Sequence, residues 1–280
     1  MKGFRCLGVL LAAGVIAVPA LAQTGNAYYQ HQRGMDETFR LDVGGFIQKF
    51  TTNLRAGDAI GSAGTEFGLE DVLGAPDSKT TLRVDGALRL SRRSSFLFGY
   101  RTSSRSSSIA LQRDVSFGDQ TFHVGGQVDS QLRVDVGELY YAYALVNNGD
   151  AELALMLGVS AFYNRATITA AGSVGGVGAA AQTESRNLVA PVPAVGLTFR
   201  YALYPKFFAW GTAKGISGTA SGYHGSMLSW AAGLDWYFTR NIGIGGGYEY
   251  LKLDFEKSEA RQFALDYRTD GPVAYVSIAF

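Results

Sequence analysis

The chain has 280 residues, with 25 Lys and Arg against 24 Asp and Glu, so a net charge of +1 excludes the basic stripe expected of a nucleic-acid binder. Its 36 Gly, 15 Tyr and 17 Phe, beside only 6 Pro, suit a curved antiparallel wall, where glycine permits bends and aromatics suit a lipid–water boundary. The length accommodates one large all-β unit, and no stretch has the composition of a linker.

The first segment reads as an export signal. Lys2 and Arg5 precede an apolar run from Leu7 to Val18, and Ala20 and Ala22 supply small residues for a secretory peptidase. The predicted organisation is a removed signal over 1–22, a periplasmic extension over 23–38 and a barrel over 39–280. The only cysteine, Cys6, falls in the signal, so the exported chain is expected to hold no disulfide and no cysteine-based metal site. Every later apolar run is broken by Gly, Pro or a charge before the ~20 residues of a spanning helix. Export without such a helix leaves a soluble protein or a closed β-barrel.

Strand-like alternation then runs through the rest of the chain. Ten strands are predicted, over 39–52, 80–91, 95–103, 128–145, 151–168, 188–202, 206–216, 227–238, 242–256 and 270–280. Twelve is the main alternative, if Gly64 to Glu70 and part of Ser104 to Gln127 join the wall; eight is the next. Four tight polar turns, at Arg92-Arg93-Ser94, Asn147 to Asp150, Tyr204-Pro205-Lys206 and Thr239-Arg240-Asn241, alternate with longer Gly- and Ser-rich stretches. Short turns on one side and long loops on the other are the outer-membrane pattern, with the short ones periplasmic.

The alternation also assigns faces. Leu82, Val84, Leu88 and Leu90 oppose Arg83, Asp85 and Arg89; Leu41, Val43 and Ile47 oppose Arg40, Asp42 and Gln48. Leu132, Val134 and Val136 oppose Arg133 and Asp135, while Leu153, Leu155 and Leu157 oppose Glu152. Val195, Leu197 and Phe199 oppose Arg200; Leu228, Trp230, Leu234 and Trp236 oppose Asp235; Ile242, Ile244, Tyr248 and Tyr250 oppose Glu249. In a membrane barrel the apolar set meets lipid and the charged set meets the lumen. Aromatics crowd the short turns, so Tyr201, Tyr204, Phe207, Phe208, Trp210, Trp236, Tyr237 and Phe238 are predicted to form an interfacial girdle.

The chain stops at Phe280, preceded at alternate positions by Ile278, Val276 and Ala274. This ending resembles the C-terminal signature of bacterial outer-membrane barrels. With the Gly243 to Tyr250 segment and Gly271-Pro272, the chain resembles the superfamily of small outer-membrane β-barrels, the transmembrane part of OmpA-like proteins included. The resemblance implies an all-β, up-and-down transmembrane barrel in the bacterial outer membrane. Its implied partners are outer-membrane lipid or lipopolysaccharide, and the barrel-assembly machinery that reads Ala274, Val276, Ile278 and Phe280. Nothing follows the barrel, so no peptidoglycan-binding domain is implied.

The inward charges collected this way are Arg40, Arg83, Arg89, Arg101, Arg133 and Arg200 against Asp42, Asp85, Asp135, Glu152, Asp235 and Glu249. Balanced signs favour a salt-bridge network that fills the interior over a pore with a ring of one sign. About eight strands leave an interior just filled and open channels appear at about 16 to 18, so ten or twelve lies between plugged and narrowly permeable, which argues against a wide porin.

No catalytic motif emerges. The three histidines, His31, His123 and His224, fall outside the predicted strands. His123 and His224 could meet at the outer rim, with Asp119 or Asp129 as orienting acid and Ser226 as nucleophile, but no spacing motif ties them together. Lipid A deacylases and omptin-like proteases are the enzymes such a site would resemble. Glu66, Glu70 and Asp71 lack the spacing of a calcium loop, and the glycines of Ala170 to Ala181 lack the βαβ context of a nucleotide fingerprint. The expected function is therefore a non-enzymatic barrel without cofactor or metal, structural or passing small solutes. A surface adhesion or receptor role for the long loops is the remaining alternative.

Overall fold

The computed structural model describes Met35 and residues 37–56, 66–110, 115–117, 120–122, 127–171, 173–174, 177–178, 182–220, 223–257 and 263–280. The predicted signal and loop tips, with His31, Asp119 and His123, lie outside the described residues. Ten strands form the wall. They are β1 (Phe39–Ala56), β2 (Ser78–Ser91), β3 (Ser94–Ala110), β4 (Gln127–Asn147), β5 (Ala151–Ala171), β6 (Gln182–Tyr204), β7 (Phe207–Ala220), β8 (Tyr223–Tyr237), β9 (Ile242–Lys257) and β10 (Phe263–Ala279).

Each strand pairs antiparallel with its sequence neighbour, and β10 returns to β1 to close the ring. Closure satisfies the edge N–H and C=O groups that hydrocarbon cannot. Following the register once around, Phe39 leads through Leu88, Phe96, Tyr141, Leu157, Val195, Gly215, Leu228, Lys252 and Arg268 to Thr51. That stagger, from position 39 to position 51, tilts the strands by about 40°.

The strands run further outward than the alternation predicted. β3 continues to Ala110 and β10 starts at Phe263, so stretches expected as loops are wall. Between β1 and β2, the segment counted as a possible eleventh strand splits: Glu66–Gly68 pairs with the outer end of β1, and Leu69–Leu73 forms a short helix, α1.

Two polarities share this wall. In the inner half, outward positions are apolar, among them Val43, Leu88, Leu155, Leu197, Leu234, Ile244 and Val276. Along β8 and the residue after it this belt runs from Phe238 to Leu228, about 33 Å of chain and, at the tilt above, about 25 Å of height, the thickness of an outer-membrane apolar band. Trp236 and Phe238 mark its inner edge, and Trp230, stacked on Tyr248 and Tyr250, its outer edge. Beyond that edge the same outward faces carry Lys252, Asp254, Arg268, Asp270, Arg133 and Asp135, several joined as exposed ion pairs. Inward positions there carry an apolar cluster: Phe50, Val134, Val136, Phe162, Leu251, Leu253 and Tyr267 pack together. The outer half is therefore built like a soluble barrel, and it stands above the bilayer as a collar.

The collar is open at one seam. Pairing of β6 with β7 stops at Val195↔Gly215, while β6 continues against β5 up to Gln182↔Ala170. Pro191 and Pro193 lie on this one-sided stretch, where the missing N–H costs least because no second strand claims it.

Candidate functional site

Alternate inward positions of the inner half meet at the barrel axis, and their charges pair across it. Glu249 on β9 receives Arg83 of β2 at 2.6 Å and also Arg101 of β3. Glu138 on β4 receives Lys214 of β7 at 2.6 Å, Arg101 at 3.2 Å and the Ser160 hydroxyl at 3.1 Å. Towards the short turns, Arg89 pairs with Glu152 at 2.8 Å, Arg200 with Asp235 at 2.8 Å and Arg40 with Asp42 at 3.3 Å, while Arg83 also reaches Asp85. Tyr275 donates to Asp235 at 2.5 Å, an approach that needs Gly245: a Cβ there would stand 2.3 Å from the tyrosine ring. In an interior screened from bulk water each of these ions would be costly alone, and their ionic partners offset that cost. Between them lies a cavity of about 170 Å³, lined by Arg40, Asp42, Arg200, Trp210 and Asp235 among others.

Both ends of this chamber are stopped. At the inner end Met35 is fully buried against Phe208, Tyr237 and Ala279. Glu37 lies beside Arg40 at 3.5 Å, and its carbonyl accepts from Arg89 Nε at 3.3 Å. Burial pushes the Glu37 carboxyl above the usual carboxylate range, against the opposing pull of Arg40. At the outer end the apolar cluster fills the bore and α1 caps it. Leu69 and Leu73 are buried, and Gly74, in the left-handed region at φ 61°, ends the helix with its N–H on the Leu69 carbonyl.

Among the sequence-predicted lumen residues, Arg40, Asp42, Arg83, Asp85, Arg89, Arg101, Glu152, Arg200, Asp235 and Glu249 line the chamber. Arg133 and Asp135 do not. They pair with each other at 2.9 Å on the outer surface, where the Arg133 side chain is 52% exposed, while Val134 and Val136 point inward. The reason is the change of polarity along β4: below Gly137 apolar residues face out, above it they face in. Reading one polarity along the whole strand also hid Glu138, which shares the face of Val136. Lys214 carried no signal, because its neighbours Thr212, Ala213 and Gly215 show no alternation.

The predicted girdle needs a similar correction. Phe208 and Tyr237 form the edge-to-face pair of the inner stopper, and Trp210 lines the chamber. Tyr204, Phe238 and Trp236 are exposed on the outside and Phe207 is half-buried there; Tyr201, also half-buried, shares the outward parity of Phe199. Val276 and Phe280 are likewise exposed, with Ala274 and Ile278 on the same face of β10.

Of the candidate hydrolytic group, only His224, Ser226 and Asp129 fall among the described residues. Ser226 bonds Asp254 at 3.2 Å on the outward face of β8 and β9. His224 sits two residues from Ser226 on that face, and Asp129 lies on β4, with β5, β6 and β7 between. Of the acids between β1 and β2, Glu66 pairs with Arg55 and Glu70 with Arg105.

No protein-family model matches the chain, and no curated protein matches it. Among solved structures, the outer membrane protease OmpT from Escherichia coli aligns over 88% of this chain and 97% of its own, at 14% identity and a TM-score of 0.56. The translocator domain of the autotransporter NalP from Neisseria meningitidis covers 86% and 90% at 14% identity, with a TM-score of 0.38. The P. putida toluene transporter TodX covers 92% and 95% at 8% identity, with a TM-score of 0.36. The fold is that of the small bacterial outer-membrane β-barrels. With its closed ten-strand wall and apolar belt, the protein is an outer-membrane barrel.

Proposed function

We propose that this protein is a structural, non-catalytic outer-membrane barrel, closed to free diffusion at rest, that carries a rigid polar collar at the cell surface. The observation that supports this is the stoppering of the chamber at both ends around charges that answer one another, which gives a passing ion neither a continuous bore nor a ring of one sign. The belt then meets outer-membrane lipid, lipopolysaccharide included, and Ala274, Val276, Ile278 and Phe280 serve as the signal for the assembly machinery. Planar-bilayer recording of the refolded protein tests the closure. No unitary conductance is expected; stepwise openings in the unmodified protein would overturn this assignment in favour of a pore.

A further inference from the structure

Among the described residues, a polar contact set centred on Arg105 holds the outer stopper. Arg105, on the inward face of β3, donates from Nη1 to Glu70 of α1 at 2.5 Å and to the Pro76 carbonyl at 3.3 Å. Its Nη2 donates to the Thr52 hydroxyl at 2.9 Å, and the Thr52 backbone N–H donates to the other Glu70 oxygen at 2.9 Å. The guanidinium also lies over the Phe50 ring, 4.1 Å from its centroid, at the top of the apolar cluster. Arg105 is only 2% exposed, so without Glu70 it is a buried cation with no counter-charge among the described residues. The wall thus presents a ready-made carboxylate socket: a fixed guanidinium, a backbone donor on the second oxygen, and an apolar floor.

We propose that Glu70 is a latch seated in a carboxylate-binding socket formed by Arg105 and Thr52, and that unseating it swings α1 away and opens the collar to small carboxylates from outside. The rest of the stopper is suited to leave. α1 has a single turn, its cap at Gly74 is a left-handed hinge, and its buried face is little more than Leu69, Leu73 and Ala75. A helix so short has no stability of its own and stays only where side chains anchor it. A carboxylate that takes the socket replaces the charge that Arg105 needs, so the open form is not left with an orphan cation.

This rests on the closed lumen proposed above, and one experiment separates the two. Ser103, buried on β3 one inward position below Arg105, is replaced by Cys in a Cys6→Ser background, and labelling by a bulky charged maleimide is timed in detergent micelles. Slow labelling is expected with Glu70 present; fast labelling there would overturn the closed-lumen reading itself. Glu70→Ala is expected to accelerate labelling on the order of tenfold. Sodium acetate, but not sodium chloride at equal ionic strength, is expected to restore Arg105 pairing, seen as recovery of thermal stability in the Glu70→Ala protein. Glu70→Gln, which keeps the side chain's shape, guards against misfolding and is expected to fall between the two. Unchanged labelling in both Glu70 variants, or equal effects of acetate and chloride, would overturn the latch and its socket.

Discussion

Glu249 answers two arginines on two different strands, Arg83 and Arg101, from a position only 2% exposed. Its removal takes a carboxylate from both guanidiniums at once, leaving Arg83 with Asp85 and Arg101 with Glu138. Glu249→Ala is therefore expected to destabilise the barrel by about 1.5–3 kcal/mol for each charge-assisted hydrogen bond lost, read from urea unfolding of the refolded protein. An isosteric Glu249→Gln is expected to cost less, since it keeps an acceptor for one arginine. Ionic partners of this kind were legible from alternation wherever the belt's polarity held, as at Arg83, Asp235 and Glu249. They were illegible where it changed: Glu138 shares a face with Val134 and Val136, and that face looks lipid-exposed until the strand is known to leave the membrane at Gly137.

Among the elements, the two stoppers differ in how much the sequence disclosed. The spacing Leu69 to Leu73, followed by Gly74 and Pro76, is a helix-stop signature, but one turn among strands is too short for periodicity to announce it. The inner stopper left no pattern at all, because Met35 is fixed by contacts with β7, β8 and β10 far along the chain, and Glu37 by Arg40 of β1 and Arg89 of β2. Its hold should depend on pH. Burial raises the Glu37 pKa in the folded state, so the folded protein binds the extra proton more readily than the unfolded chain does. Stability of the docked segment is then expected to rise as pH falls through that elevated value and to decline above it. Protease protection of the segment preceding β1, followed against pH, checks this, and Glu37→Gln is expected to flatten the profile.

For the whole molecule, the reversal of polarity along the barrel axis fixes the bilayer's outer boundary. The β6–β7 seam agrees, since a stretch paired on one side only cannot lie in hydrocarbon and must sit among headgroups or water. Two substitutions test that boundary. Leu155→Arg, outward and 50% exposed in mid-belt, is expected to cost about 2–4 kcal/mol in lipid. Arg133→Leu, outward on the collar, is expected to stay within about 0.5 kcal/mol. Equal costs at the two sites would mean that the boundary is misplaced.

The pairing of β1 with β10 also governs how the molecule must be made. Arg40 meets Ala279 and Ala56 meets Phe263, partners more than two hundred positions apart in sequence. Contacts so distant carry the largest loop-closure entropy in the chain, so this ladder zips last. Until Phe263 to Ala279 has been synthesised and delivered, the nascent sheet keeps two raw margins, each a template for pairing with another chain. A product lacking β10 would for this reason be a sticky ribbon rather than a smaller barrel, and every copy depends on being shielded until β10 has met β1.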